Sequence, residues 1–307
     1  MIKFYKTINN MVEEIDKAEQ GCWISVISPT DDELNELVHN YGLDYGFVCS
    51  SLDEEESSRI EQEDDQTLII VDYAVAETDS QNAMLYSTIP MGIILTKDYV
   101  VTVSLRDNII LSEMASGVIK NLYTNMKTRF VLMILLRIAV KFLQYLKQID
   151  KISLSLEKHL RRSMRNMELI QLMDLEKSLV YFSTSLKANE VTLEKILRGR
   201  VIKLYEEDQD LLEDVLIEIK QAIEMAGIYS SILSGMMDAF ASIVSNNLDI
   251  VMKRLTIITI LMAIPTIVFS FYGMNVEHLP WAVSWFPLVF SVIITVIIGI
   301  ILNKTNK

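Results

Sequence analysis

The stretch FSFYGMNVEHLP, from Phe269 to Pro280, contains Glu277 and His278, the only acidic or basic side chains between Leu255 and Leu302. On either side of it the chain is apolar, over Leu255–Tyr272 and Val283–Leu302. Each segment approaches or reaches the ~20 residues that a bilayer crossing takes. A connection this short makes a hairpin of two spans, so both ends of the chain lie on one side. Lys253 and Arg254 precede the first span and Lys304 and Lys307 follow the second, with no Lys or Arg between. The excess of basic residues on cytosolic flanks puts both termini in the cytosol and the Gly-Met-Asn loop outside. Trp281 and Trp285 sit where interfacial aromatics are expected.

The first span has one polar side. Thr256, Thr259, Thr266 and Ser270, with Ala263, fall within an arc of roughly 80° at about 100° per residue. Extended backwards, the stripe reaches Met252 and then Asp249. Two readings fit. Small and hydroxylated residues are common where membrane helices pack, and they also suit a water-filled path. Two spans cannot enclose such a path, so the second reading requires an oligomer. Pro265 lies inside the span and predicts a bend.

The remainder of the chain is more polar. The 307 residues are 50% hydrophobic, yet the net charge is −13, which lacks the basic footprint of a nucleic-acid binder. Cys22 and Cys49 have no metal-ligand spacing and read as reduced thiols. MIKFYKTINNM has no continuous apolar core of a signal peptide. Over residues 1–115, GCWISVI, QTLIIVDYAV, STIPMGIILT and DYVVTVSL read as strands, and SPTDDELNELVHNYG as a helix capped by Thr30 or Asp31 and ended near Gly42. LDEEESSRIEQEDD, with eight acids and one arginine, reads as a solvated loop. No proline falls between Pro90 and Pro265, which permits very long helices. FVLMILLRIAV is too short for a span and carries Arg137, so it reads as a buried helix. From Val201, Leu204, Leu211, Val215, Ile219, Ala222, Ala226, Leu233, Met237, Phe240 and Val244 form an apolar stripe on a helix that nothing stops before the membrane. Continuous to Tyr272, it would run about 105 Å.

The expected organisation is an α+β cytosolic domain at 1–115 and a helical hairpin region at 116–200. A stalk helix at 201–254 follows, then a first transmembrane helix at 255–272, an outer loop at 273–282, a second transmembrane helix at 283–302 and a cytosolic tail at 303–307. With YGMN at the end of the first of two C-terminal spans, and with SNNLDIVMKRLTII and Pro265 before it, the chain resembles the CorA family of magnesium transport proteins. That resemblance implies a cell-membrane homopentamer with a cytosolic funnel, its five first spans lining a pore. It places Gly273, Met274 and Asn275 at the outer selectivity filter. Asp249, Met252, Leu255, Thr256, Thr259, Ala263, Thr266 and Ser270 line the path, nearly the stripe read from periodicity. Met252 and Leu255 would form an apolar constriction, and Gly273 would give the backbone a tight turn.

The loop departs from the family pattern, reading HLPWAV with Glu277 as its only acid to recruit cations. The resemblance further implies a regulatory Mg²⁺ site with Asp214 and Asp53, although Cys49 and Ser50 stand where the family usually has acids. Mg²⁺ is the expected cargo, with Co²⁺ or Ni²⁺ as companions, and no other cofactor is expected. A relative specialised for another divalent ion or for efflux is the alternative. A non-conducting membrane anchor is a further one, although it gives no reason for the hydroxylated stripe. No Gly-x-x-x-x-Gly-Lys-[Ser/Thr] loop suggests nucleotide-driven pumping, and scattered histidines argue against an enzyme.

Overall fold

The computed structural model describes all residues except 79–83, 120, 163–165, 199–201, 203–204, 276–280, 282, 284 and 306–307, and the side chains at 162, 166, 303 and 305. The chain divides into two compact units, Met1–Met236 and Met237–Lys307.

The first unit is built on seven strands: β1 (Ile2–Ile8), β2 (Met11–Ile15), β3 (Trp23–Ile27), β4 (Arg59–Glu63), β5 (Gln66–Thr78), β6 (Met84–Leu95) and β7 (Val100–Ser104). They form one sheet in the order β2-β1-β3-β7-β6-β5-β4. Only β3 and β7 pair in parallel, Trp23 opposite Val100 through Ile27 opposite Ser104. Every residue of β7 and all but the last of β3 are buried, as expected of central strands covered on both faces. Ile24, Val26, Val101 and Val103 meet α1 (Asp31–Tyr41) and α2 (Tyr45–Ser50) through Leu37, Phe47 and Val48. On the other face Trp23 packs on Phe130 at 5.3 Å and donates Nε1–H to Thr102 Oγ1 at 2.8 Å. Phe130 opens the expected buried helix. From Phe130 to Ile138 the apolar residues Phe130, Val131, Leu132, Ile134, Leu135 and Ile138 of α4 (Lys127–Arg162) are buried against the sheet and α5 (Asn166–Leu197). A short α3 (Ile109–Ala115) follows the sheet.

Three local features depart from or sharpen the sequence reading. The cap of α1 is Thr30, which forms a capping box with Glu33, and Gly42 ends the helix at φ 67°. The N-terminal residues form a hairpin, β1–β2, turned on Asn9 and Asn10 at φ 49° and 65°. The acidic stretch is a loop over residues 52–58 and a turn at 64–65, but a strand between them. Its Arg59–Glu63 segment pairs antiparallel with β5, and the exposed Glu61, Gln62 and Glu63 lie on the sheet's edge. Charge at an edge strand discourages pairing with other chains.

Polar groups tie the sheet to α5. Asn189, 1% exposed, accepts from the Asp72 N–H at 2.9 Å and from Ser58 Oγ at 2.9 Å, and donates to the Asp72 carbonyl at 2.8 Å. Ser185 donates to Thr88 Oγ1 at 2.8 Å. The Asp72 carboxyl sits among them; its burial raises it above the usual carboxylate range, against the pull of the Ser185 and Ser58 hydroxyls.

The last long helix is α6 (Glu206–Tyr272), 67 residues that pass through Pro265 without a break. Leu212, Val215, Ile219, Ala222, Ala226, Leu233 and Phe240 are buried along it, and Val244 is exposed. Val201 and Leu204 of the expected helix start lie outside the described residues. In the second unit, α7 (Phe286–Thr305) runs beside the end of α6, with Gly299 close to Leu261. By length and composition, α6 alone among the described helices is long and apolar enough to cross a membrane. The apolar part of α7 is Phe286–Leu302. The helix thus starts three residues later than the Val283 expected from hydropathy.

Two predictions follow from the sheet. A Cβ on Gly92 of β6 would lie 1.8 Å from Ser51 Oγ and 2.4 Å from Ser51 Cβ, atoms at the end of α2. Gly92→Ala is expected to destabilise the fold by about 1–3 kcal/mol as α2 is forced off the sheet, and Ser51→Gly to restore part of that in chemical denaturation of the double variant. An unaltered midpoint for Gly92→Ala would refute the contact. For Asp72 the raised folded value sets the sign. Its contribution to stability is fully present below the unfolded value, about 3.9, and is lost as pH rises through the folded one. Asp72→Asn should therefore raise the melting temperature near pH 7 (approximate). The advantage should fade as the pH is lowered through the carboxylate range.

Candidate functional site

The polar stripe of α6 converges on one open side of the helix. Asp249, Met252, Leu255, Thr256, Thr259, Ala263, Thr266 and Ser270 are all exposed. The residues of the same segment that are shielded are Ile257, Leu261, Ile264, Pro265 and Val268, which form the side next to α7. One face of the helix is thus used inside the chain; the hydroxylated face is exposed, and so are the apolar Ile258, Ile260, Met262, Ile267 and Phe269 around it. Below it, every residue from 241 to 256 is exposed, so this part of α6 has no cover from its own chain.

Hydroxyl chemistry on this face is specific. Thr256 donates its Oγ1–H to the Met252 carbonyl at 2.9 Å, Thr259 to Leu255 at 2.9 Å and Thr266 to Met262 at 3.1 Å. Each donor is satisfied within the helix, one turn back. The oxygen lone pairs remain outward, so the exposed face presents acceptors. Acceptors are what the hydrogens of a hydrated cation require. Met252 and Leu255, 54% and 55% exposed, stand between Asp249 and the first of these threonines as an apolar step.

At the C-terminal end of α6 the chain leaves the helix after Tyr272, where Gly273 N–H donates to the Phe269 carbonyl at 2.9 Å and Met274 N–H to the Phe271 carbonyl at 3.4 Å. Gly273 does not adopt positive φ. A Cβ there would lie 3.2 Å from the Phe269 carbonyl oxygen, a close approach that a shift of a few tenths of an ångström would relieve. Aromatic rings brace this end, with Tyr272 against Phe286 at 6.1 Å, Trp281 against Phe286 at 5.0 Å and Phe286 stacked on Phe290 at 5.5 Å. The sequence reading took the tryptophans as interfacial and overlooked Phe286 and Phe290, whose spacing of four on one helix was the available signal. Glu277, the expected recruiter of cations, and His278 lie outside the described residues.

The two carboxylates expected at a regulatory site are exposed. Asp214 lies on α6, and Asp53 follows α2 and accepts from the Glu55 N–H at 3.0 Å. No three His, Cys, Asp or Glu residues come together as a metal-holding group among the described residues. Beside Cys49 and Ser50 the chain supplies a cation of its own. Arg59 donates to Ser50 Oγ at 3.3 Å and pairs with Glu56 and with Glu61, the latter at 3.2 Å.

Known proteins share the fold of this chain. The family model described as CorA-like Mg2+ transporter protein matches residues 18–304. The cobalt/magnesium transport protein CorA of Methanocaldococcus jannaschii is 28% identical over 297 residues, covering 92% of this chain and 90% of that protein. The protein of the same name from Thermotoga maritima is 33% identical over 148 residues, 43% of this chain and 42% of its own length. The complete structure of the CorA magnesium transporter from M. jannaschii superposes with a TM-score of 0.83 at 23% identity, covering 99% of this chain and 96% of that one.

Proposed function

The chain belongs to the CorA-like Mg2+ transporter family, and from that premise we propose that it is a homopentameric cell-membrane channel for Mg²⁺, with both termini in the cytosol and α6 and α7 as its spans. The hydroxylated face of α6 carries this reading. It is a continuous polar face that its own chain leaves uncovered, set among exposed apolar residues such as Ile258, Met262 and Phe269, and its threonine donors are already used. Five copies arranged with these faces inward enclose a path of acceptors. Gly273, Met274 and Asn275 stand at its mouth, and Met252 and Leu255 form an apolar constriction toward the cytosol.

Mg²⁺ dehydrates reluctantly and usually keeps several waters. A ring of neutral Asn275 side chains accepts hydrogen bonds from those waters without stripping them. The ion is then held weakly enough to move on, as conduction requires. The membrane potential supplies the driving force, about 2.3 kcal/mol per charge per 100 mV. Co²⁺ and Ni²⁺ belong to the same reading as companions, because their hydrated forms offer the same hydrogens. Divalent cations bound between cytosolic portions of neighbouring copies, with Asp214 and Asp53 as ligands, would close the pore when the ion is abundant.

Two measurements test this. In vesicles reconstituted with the full chain, Asn275→Ala is expected to lower Mg²⁺ flux by about tenfold, equivalent to about 1.4 kcal/mol. Unchanged flux would remove the filter assignment, and absence of flux for Mg²⁺, Co²⁺ and Ni²⁺ in the unaltered protein would favour a non-conducting anchor. Asp214→Ala is expected to leave flux at low internal Mg²⁺ intact and to weaken its inhibition at high internal Mg²⁺. An unchanged inhibition curve would exclude Asp214 from regulation.

A further inference from the structure

Behind the outer end of α6, on the side away from the hydroxylated face, a groove of about 590 Å³ opens between α6 and α7. Ile264, Val268 and Phe271 of α6 and Phe286, Phe290 and Ile294 of α7 form its walls. Along either helix the walls extend eight residues from the aromatic end, about 12 Å at 1.5 Å per residue. Tyr272 and Trp281 stand at the outer end. We propose that this groove holds one acyl chain of an outer-leaflet phospholipid, seated beside the residues that lead into Gly273.

Four observations commit the groove to this occupant, and the inference rests on the channel reading for the orientation of α6. The named walls carry hydrocarbon and aromatic rings, with no charged group among them. An amphipathic pair, Tyr272 and Trp281, marks the end where headgroups lie, and from there the groove runs inward to hydrocarbon depth. The groove is open to its surroundings, since Ile267 and Phe271 of its lining are 67% and 48% exposed. It also lies about a third of a turn from the polar stripe at about 100° per residue. With the stripe directed at the pore axis, the groove opens toward lipid rather than into the path. Phe271 and Tyr272, the two residues before Gly273, border the groove, so its occupant supports the helix end from behind.

The test uses the full chain with palmitoyl-oleoyl phosphatidylglycerol and reads retained lipid by native mass spectrometry after delipidation and re-addition. The unaltered protein is expected to keep one phospholipid per chain. Ile264→Trp, which fills the inner part of the groove, should lose it, and Val292→Trp, on an exposed part of α7 outside it, should keep it. Equal retention in all three, or none in any, would overturn the proposal. To exclude a neighbouring copy as the occupant, Ile267→Cys is oxidised in the membrane. Efficient disulfide-linked dimers would show that protein covers the groove, again overturning the proposal, whereas protection from cross-linking with the lipid count unchanged supports it. Lipid retention does not depend on conduction. A protein that keeps its lipid but passes no ion would fail the channel reading alone, and one that conducts without the lipid would fail this inference alone.

Discussion

A polar side chain set into an apolar helix must satisfy its donors locally or meet water; left unpaired in hydrocarbon it costs several kcal/mol. The apolar C-terminal part of α6 meets that constraint by folding each threonine proton back onto its own backbone, at Met252, Leu255 and Met262. What remains outward is oxygen without a competing hydrogen. The same three bonds thus let hydroxyls survive in an apolar setting and give the face its preference for donors in the solvent. Everything at the outer end is arranged around keeping that helix intact to its last turn. Gly273 leaves space beside the Phe269 carbonyl, and the rings of Tyr272, Trp281, Phe286 and Phe290 hold the terminus in place.

The two units solve burial differently. In the first, a sheet covered on both faces buries Trp23, Ile24, Ile69, Ile70, Ile93 and Met91 completely, at about 1.5–3 kcal/mol for a large aliphatic side chain. Its polar groups are paired across elements, as at Asn189. In the second, apolar side chains remain exposed along both helices, Leu248, Met262, Ile267 and Ile300 each by more than 60%. For a water-soluble body that exposure would be a liability. It becomes ordinary once lipid and other copies are the surroundings, and it therefore belongs to the same family reading as the polar stripe.

The helical and membrane-directed parts were the most legible in the sequence, because their signals are long. A proline-free interval, a stripe repeating at threes and fours and an uninterrupted apolar run each integrate over many residues, so single exceptions do not erase them. The polar stripe was readable for the same reason. Short β elements gave less. The β1–β2 hairpin turns on Asn-Asn, a weaker cue than Asn-Gly, and lysines interrupt its alternation. Arg59–Glu63 carries three charges in five residues and pairs only along one edge, so composition pointed to a loop where backbone pairing made a strand. Within the site, residue identity was legible while geometry was not. Glycine at 273 suggested conformational freedom, yet its φ is not positive, and the close approach to a carbonyl four residues earlier is a quantity no sequence shows. The groove between α6 and α7 could not be anticipated at all, since it depends on which sides of two helices meet.

Threonine protons shared with backbone carbonyls carry a mechanical side effect. A carbonyl that accepts from both an amide and a hydroxyl holds its helical partner less tightly, and such sites favour slight bending. Pro265 removes one more bond by withholding an N–H from the Leu261 carbonyl. Lower on the helix Ser231 and Ser242 share the Gly227 and Asp238 carbonyls in the same way. What sets the interval from Met252 to Thr266 apart is three such links together with the bond that the proline removes, so it is there that bending of α6 costs least.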